Sequence, residues 1–216
     1  MAEPNGRESG KNPGPRAAWG RFARPAPDGL PRLWLFSDPA RLPDPRAAME
    51  HLPRGAGVVA RGLAPGLLRP VALLARRRGL VLLVAGDGRA ALAVKAGLHL
   101  PDRRQSQGLL PFLIARRAAP GRLILSMATH GGQRSAARAR RLRPDCLFLS
   151  PLFPTQSHPG APALDALRWA VLARGLTLPC MALGGVTPAR FGAVPRCAAG
   201  VAAIGGLATP VARLPQ

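Results

Sequence analysis

The sequence contains few acidic residues, few aromatic residues and no long apolar run. Its 216 residues include 10 Asp and Glu against 31 Lys and Arg, and aromatic side chains make up only 4% of the chain. No apolar run approaches the roughly 20 residues that a transmembrane helix needs. The first 30 residues also lack the apolar stretch of a signal peptide, because prolines interrupt them. These absences predict a soluble, cytoplasmic protein with no membrane partner.

Cysteine is also scarce, with three residues that lie far apart in the chain: Cys146, Cys180 and Cys197. An odd number of widely spaced cysteines, in or beside apolar runs, does not suit a disulfide framework or a metal site. Cysteine in such surroundings behaves as a small buried hydrophobic residue. We therefore expect three buried free thiols.

The shortage of acids gives the chain a formal net charge of +21, nearly all of it arginine because Lys11 and Lys95 are the only lysines. Such an excess favours contact with nucleic acid phosphates. The arginines are, however, scattered over predicted helices without interleaved aromatic residues, and no nucleic acid-binding motif accompanies them. Solvated helix faces are the preferred interpretation. Nucleic acid is not expected as a partner, although an RNA-binding barrel stays open as an alternative.

The chain divides into a short tail and one domain. Residues 1–30 are rich in Pro, Gly, Arg and Ala and have few bulky apolar groups to bury, which predicts a disordered basic tail. Over residues 31–210, eight apolar runs of strand length alternate with segments rich in alanine, leucine and arginine. The predicted strands are Leu33 to Phe36, Gly57 to Ala60, Val81 to Ala85, Gly97 to Leu100, Leu123 to Met127, Cys146 to Leu149, Cys180 to Leu183 and Val201 to Ile204. Because continuous apolar runs are typical of parallel strands covered on both faces, we predict a single α/β (βα)8 TIM barrel, with an open doubly wound sheet as the alternative.

Local signals indicate where the helices between these strands begin. Pro65 suits the first turn of the second helix, Leu109 starts a run with helical spacing, and Thr187-Pro188 suits the cap and first turn of the seventh helix. Asp38 and Asp87 each suit an N-terminal cap, and for Asp38 this is the preferred interpretation.

Polar residues and glycines follow the predicted strands, at the end where TIM barrels carry their active sites. Gly184-Gly185 and Gly205-Gly206 follow strands seven and eight, where phosphate commonly binds, and glycines let backbone N–H groups approach an anion. Tight turns are the alternative use of these glycines. The other candidates at strand ends are Ser37, Asp38, Arg61, Gly86, Asp87, His99, Asp102, Thr129, His130, Thr155, Ser157 and His158.

The acids and histidines among these candidates offer distinct chemistry. An aspartate such as Asp87 can bind Mg²⁺ together with a substrate diphosphate, or it can cap a helix. Histidine titrates near neutrality, so His130 and His158 are candidates for proton transfer or, when charged, for phosphate binding, with a packing role as the alternative. His99 lies within an apolar run and is interpreted as a core histidine.

The order of these motifs resembles the thiamine phosphate synthase and TenI family of TIM barrels, from about residue 33 to 207. The similar segments are Leu33 to Asp38, Leu82 to Asp87, Ala96 to Leu100, Ser150 to Gly160 and Leu183 to Val186. Ser150 to Gly160 is similar to the family's Gly-Pro-hydrophobic-Phe-Pro-Thr-x-Ser/Thr-Lys-x-Gly loop. The resemblance implies a transferase of thiamine biosynthesis that joins an aminomethyl-pyrimidine diphosphate to a thiazole phosphate and releases pyrophosphate.

The resemblance also implies a role for each matching residue. Thr155 and Ser157 would bind the diphosphate, and Asp87 would bind Mg²⁺. Arg61 stands at the arginine of the family's Gln-Leu-Arg strand end, and His158 takes the place of the loop lysine. The thiazole phosphate would be held by Gly184, Gly185, Ile204 and Gly205.

Two segments depart from the family's pattern. Val59 and Leu63 stand where the family has a glutamine and a lysine, and residues 101–104 replace a Gly-Gln-x-Asp segment whose aspartate completes the metal site. His130 stands where TenI-like thiazole tautomerases have a catalytic histidine. A tautomerase is therefore the alternative enzyme, and a non-catalytic barrel that binds a phosphorylated ligand or RNA is the third reading. A homodimer is one alternative for the oligomeric state.

Overall fold

Eight parallel strands form a closed barrel in the computed structural model, which describes residues 20–26, 28–102, 105–155 and 162–207. Each strand pairs with the next along the chain, and the last pairs with the first through Leu33 and Val201. The strands are β1 (Leu33–Phe36), β2 (Gly57–Ala60), β3 (Val81–Ala85), β4 (Gly97–Leu100), β5 (Leu125–Thr129), β6 (Cys146–Leu149), β7 (Cys180–Leu183) and β8 (Gly200–Ala203). The predicted TIM barrel is confirmed.

Two strands differ from their predicted bounds. β5 begins two residues later than predicted and extends to Thr129, because its ladder with β6 continues to the pair Thr129 and Leu149. β8 begins one residue earlier, at Gly200, which pairs with Met181 of β7. Both shifts come from long-range pairing, which an apolar run does not encode.

Helices lie between the strands, with bounds α1 (Arg46–Met49), α2 (Leu68–Arg78), α3 (Gly88–Ala93), α4 (Leu109–Ala118), α5 (Gln133–Leu142) and α6 (Asp165–Gly175). α2 starts at Leu68 rather than near Pro65, because Gly66 adopts a left-handed φ of 85° that interrupts a helix. After β7 the chain forms a 3₁₀ segment, Pro188–Ala193, instead of an α-helix. In the described part of the chain, no helix is long and apolar enough to span a membrane.

Alternate residues of the strands pack on the two faces of the barrel wall. Leu33 and Leu35 belong to the outer core beneath the helices, whereas Trp34 and Phe36 belong to the inner cluster. Inside, the Phe148 ring packs edge-to-face against Trp34 at 5.3 Å and against Phe36 at 4.9 Å between centroids. The barrel interior is thus filled by these aromatic rings together with aliphatic and sulfur-containing side chains, which leaves the loops at its ends to bind ligands.

Ordered packing begins before the domain boundary expected at residue 31. Phe22 lies in a 3₁₀ segment, Gly20–Phe22, is 2% exposed, and packs edge-to-face against Phe191 at 5.5 Å. Arg21 donates a hydrogen bond to the Val194 carbonyl oxygen at 3.0 Å. The disordered tail that we expected over residues 1–30 therefore does not include Gly20–Phe22. The average composition of this segment did not indicate that Phe22 would be buried. Residues 1–19 lie outside the described residues.

All three cysteines are free thiols, as expected, but they differ in exposure. Burial raises the pKa of Cys146, inside the barrel, and raises that of Cys180 to about 12. Cys197 is exposed, contrary to expectation, because it lies in the loop before β8 rather than in the strand.

Candidate active site

The carboxyl ends of the eight strands meet at one rim of the barrel, and most of the predicted site residues lie there. Because all strands are parallel, the residues that follow them share this rim. The described site residues at or just after strand ends are Arg61, Asp87, His130, Thr155, Gly184, Gly185, Ile204 and Gly205. Ser157 and His158 lie outside the described residues.

Asp38 and Arg61 form an ion pair at the ends of β1 and β2. The buried hydroxyl of Ser37 aligns the two strand ends, since it accepts a hydrogen bond from the Arg61 N–H at 2.7 Å and donates one to the Arg61 carbonyl oxygen at 2.9 Å. Arg41 also binds Asp38, at 3.3 Å. Burial works to raise the pKa of Asp38, but the hydrogen bonds from Arg41 and the charges of Arg41 and Arg61 outweigh it, so that pKa is lowered.

The expected helix cap at Asp38 is wrong. Its Oδ1 does accept the backbone N–H groups of Ala40 and Arg41, but they belong to a turn, and α1 begins only at Arg46. Asp38 instead orients the Arg61 guanidinium, whose side chain is 41% exposed at the rim. A guanidinium fixed in this way can present its remaining N–H donors to a phosphate.

Asp87 is the N-cap of α3, which was the alternative to metal binding that the sequence left open. Its Oδ1 accepts the backbone N–H groups of Arg89 at 2.9 Å and Ala90 at 3.0 Å, while its Oδ2 carries no hydrogen bond from a described residue. Gln107 fixes the neighbouring backbone through bonds with Gly86 and Gly88. Mg²⁺ is often held by one or two carboxylates, with substrate phosphates and water completing its shell. Asp87 fits such a single-ligand site, and the described residues contain no group of three or more side chains that could hold a metal by themselves.

His130 and Asp102 form a pair that sequence reasoning missed. His130 follows β5, Asp102 follows β4, and the His130 Nδ1 lies 2.7 Å from the Asp102 Oδ2. Their positions after neighbouring strands were visible in the sequence, but the contact depends on the shapes of two loops. A histidine held by a carboxylate is a common arrangement for proton transfer.

Gly184 and Gly185 are required by the close approach of two loops. The backbone N–H groups of Leu152 and Phe153 donate to the carbonyl oxygens of Leu183, at 2.9 Å, and Gly184, at 3.0 Å. Both glycines have a left-handed φ, of 96° and 63°. A Cβ on Gly184 would lie 2.8 Å from the Pro151 Cα. The loops after β6 and β7 are thus joined through these glycines.

The glycine pair after β8 shows two different environments. A Cβ on Gly206 would overlap the Val186 carbonyl oxygen, so Gly206 is needed for packing. Gly205 is exposed, and a Cβ there would meet no heavy atom within 4 Å. There is therefore open space beside the Gly205 backbone, and an anion can approach this backbone closely.

His99 is a buried core histidine, as predicted. It is 3% exposed, its Nδ1 lies 2.9 Å from the Ser126 Oγ, and its ring contacts Phe36 and Phe148 edge-to-face. Burial, and secondly the positive charge of Arg61, lowers the pKa of His99 to about 3. His99 is therefore neutral near pH 7.

Burial of the neutral His99 imidazole predicts that the protein loses stability as the pH decreases. Between about pH 6.5 and pH 3 the unfolded chain binds a proton at His99 that the native protein excludes, so the free energy of unfolding falls as pH decreases, by up to about 1.4 kcal/mol per pH unit from this residue. Urea unfolding between pH 4.5 and 7.5 should show a shallower decline in His99→Gln than in the wild type. The exposed His51→Gln serves as the matched control and should keep the wild-type slope. Equal slopes for wild type and His99→Gln would contradict the prediction.

Most of the barrel is similar in sequence to proteins of one family. A family model described as thiamine monophosphate synthase matches residues 66–207. The thiamine-phosphate synthase of Laribacter hongkongensis is 36% identical over 124 residues, which are 56% of this chain and 55% of the relative. That of Acidothermus cellulolyticus is 32% identical over 123 residues, again 56% and 55%. The chain spans half to about three fifths of the length of the curated relatives it matches.

A solved structure extends the comparison to the whole fold. The thiamine phosphate pyrophosphorylase of Pyrococcus furiosus superposes with a TM-score of 0.63, at 20% identity, over 84% of this chain and 89% of that one. At this identity the likeness concerns the fold alone.

Proposed function

The chain belongs to the thiamine monophosphate synthase family, and we propose that it is a cytoplasmic transferase that joins an aminomethyl-pyrimidine diphosphate to a thiazole phosphate. The observation that carries this proposal is that the matched region, residues 66–207, contains Asp87, Thr155, the Gly184-Gly185 pair and Gly205 at one rim of the barrel. Two phosphorylated substrates could be held there side by side. The products are thiamine phosphate and pyrophosphate.

The reaction exchanges one bond for another. The C–O bond between the pyrimidine methylene and the diphosphate breaks, and its electron pair leaves with pyrophosphate. The thiazole nitrogen then uses its lone pair to form the new C–N bond to the methylene carbon. Catalysis of this kind depends on positioning the two partners and on stabilising the charge that develops between them.

Each proposed contact supplies one part of this stabilisation. The hydroxyls of Thr155 and Ser157 bind the diphosphate, with Arg61 and His158 contributing positive charge when His158 is protonated. Backbone N–H groups of Gly184, Gly185, Ile204 and Gly205 hold the thiazole phosphate. The ion pair with Asp38 orients Arg61 before substrate binds, which lowers the entropy lost on binding.

Asp87 is the proposed protein ligand for Mg²⁺. Its Oδ2 is the carboxylate oxygen left over from capping α3. When bound together with the diphosphate, the ion supplies positive charge that makes pyrophosphate a better leaving group.

A tautomerase is the second candidate, and the His130–Asp102 contact is the observation that favours it. Proton transfer on a thiazole carboxylate phosphate requires an acid–base residue and no metal. The bond-forming reaction and the tautomerisation give products of different mass, so one experiment distinguishes them.

Incubation of the purified protein with both synthase substrates and Mg²⁺ should yield thiamine phosphate, identified by mass spectrometry. A parallel reaction supplies the thiazole carboxylate phosphate alone, and its tautomer is followed by NMR. Product only in the second reaction would replace the synthase by the tautomerase. Thiazole phosphate binding with no product in either reaction would leave a non-catalytic phosphate-binding barrel.

A further inference from the structure

A cavity of about 160 Å³ lies at the amino ends of β3, β4 and β5, at the end of the barrel opposite to the proposed active site. Val81 and Gly97 are the first residues of β3 and β4, Ile124 directly precedes β5, and all three line the cavity. α2 forms one side of it through Ala72 and Ala75. Because a single water needs about 15 Å³ of cavity volume, there is room for a phosphate group and an attached carbon group.

Three cationic side chains line this cavity, and no acidic side chain of the described residues does. Arg76 belongs to the last turn of α2, Lys95 to the loop before β4, and Arg122 to the loop before β5. All three residues are exposed, and within the described part of the chain none of them forms an ion pair. The cavity therefore carries a positive charge that favours an anionic ligand.

Two carboxylates at the same end of the barrel are bound to other arginines. Asp145 binds Arg116 at 2.9 Å and accepts the Leu125 N–H at 2.7 Å. The Glu50 carboxylate lies 3.5 Å from the Arg78 Nε. Neither acid lines the cavity, so neither takes the place of an anion there.

The Arg76 guanidinium is held beside the cavity by a hydrogen bond. Its Nη2 donates to the Val94 carbonyl oxygen at 2.7 Å. A guanidinium has five N–H donors, so this bond leaves others for a ligand. An arginine that is oriented in this way is well suited to bind phosphate oxygens.

Lys95 has a backbone conformation that favours glycine. Its φ is 53°, and it directly follows the last turn of α3. Its N–H donates to the Leu92 carbonyl oxygen at 3.0 Å, and the Ala96 N–H donates to the Ala91 carbonyl oxygen at 2.9 Å. Helices that end with this pair of bonds usually have glycine at the left-handed position, because glycine has no Cβ. A strained lysine that lines a cavity points to a function for its side chain.

The walls of the cavity are apolar. They are formed in part by Leu80, Leu82, Val94 and Ile124. A carbon group attached to the anion would cover these side chains and remove apolar surface from water. The cavity thus combines cations with an apolar surface, which fits an organic anion.

We propose that this cavity binds a small phosphate monoester, whose phosphate contacts Arg76, Lys95 and Arg122 and whose carbon group packs on the apolar walls. Three cations without an acid match the double negative charge of a phosphate monoester better than the single charge of a carboxylate. The site lies away from the rim and does not depend on the proposed synthase function.

Amide ¹H–¹⁵N spectra of the full chain, titrated with phenyl phosphate at constant ionic strength, measure this site separately from the rim. The amide signals of Ala96 and Gly97 should shift and give the Kd of the cavity, whereas that of Gly205 reports on the rim. Inorganic phosphate should bind the cavity about 10-fold more weakly than phenyl phosphate, because it lacks about 50 Å² of apolar surface to bury.

Two variants remove cations of the cavity, and a third is their matched control. Lys95→Gly should raise the Kd for phenyl phosphate at least about 10-fold while it keeps or raises the melting temperature, because glycine relieves the strained φ. Arg122→Gln should weaken binding in the same way. Arg143→Gly also replaces a cation with a left-handed φ, of 45°, at the end of α5, but Arg143 does not line the cavity. This control should keep the wild-type Kd.

The absence of shifts at Ala96 and Gly97 in the wild type would overturn the site. An unchanged Kd in Lys95→Gly and Arg122→Gln would overturn it as well. An equal loss in Arg143→Gly would show that binding follows the overall charge and not the cavity. Equal affinities for the two probes would overturn the monoester and leave inorganic phosphate as the ligand. None of these measurements requires turnover, so their outcome is independent of the assay for thiamine phosphate.

Discussion

Gly185→Ala is expected to lower kcat/KM for thiamine phosphate formation by at least about 100-fold. Gly185 has a φ of 63°, and a Cβ there would lie 2.7 Å from the Phe153 Cβ and overlap the Pro154 carbonyl oxygen. The clash separates the loops after β6 and β7, and Thr155 directly follows Pro154. Both proposed phosphate contacts would be displaced together, and displacements of about 1 Å can cost a factor of 100 in rate.

The matched control for this prediction is Gly192→Ala. Gly192 lies in the neighbouring 3₁₀ segment, and a Cβ there would meet no heavy atom within 4 Å. This variant should keep wild-type kinetics. A Gly185→Ala enzyme that is folded and has unchanged kcat/KM would show that the joined loops do not form the phosphate site.

Gly57→Ala is expected to destabilise the barrel by about 3 kcal/mol, through overpacking of its interior. Gly57 of β2 pairs with Trp34 of β1, and the Trp34 indole occupies the position of a Cβ on Gly57. Trp34 is fully buried and its Nε1 donates to the Pro31 carbonyl oxygen at 2.7 Å, so the ring cannot retreat without breaking that bond. Urea unfolding measures the change in the free energy of unfolding.

Gly175→Ala is the matched control for Gly57→Ala, because it adds the same methyl group at a position with open space. Gly175 lies at the end of α6, with no heavy atom within 4 Å of a Cβ, so alanine should leave stability unchanged or increase it by up to about 1 kcal/mol. Equal effects of the two substitutions would show that the interior tolerates a methyl group beside Trp34.

The strands could be predicted from the sequence because each is a local apolar run. Six of the eight predicted strands have the observed bounds, and the two that shifted, β5 and β8, are set by their ladders with neighbouring strands. The cap at Asp87 was equally local, since an aspartate before a helix bonds to N–H groups two and three residues ahead. Such features depend on residues that are close together in the chain, so a short stretch of sequence is enough to predict them.

The side-chain pairs of the site could not be predicted in the same way. Asp38 looked like a helix cap but binds Arg61, 23 residues away, and Asp102 binds His130, 28 residues away. Each pair forms because parallel strands bring successive loops to one rim, and the loop conformations then select the partner. Phe22 illustrates the same limit, since it packs against Phe191, which is far away in the sequence, and no local pattern predicts that contact.

Release of pyrophosphate is the measurement that tests the central claim most directly. With the aminomethyl-pyrimidine diphosphate and Mg²⁺ present, addition of the thiazole phosphate should start the release of one pyrophosphate for each thiamine phosphate formed. Thr155→Ala should slow both products equally, because it weakens the proposed diphosphate contact. Release that occurs without the thiazole phosphate, or no release with both substrates, would contradict the assignment of this rim as a synthase active site.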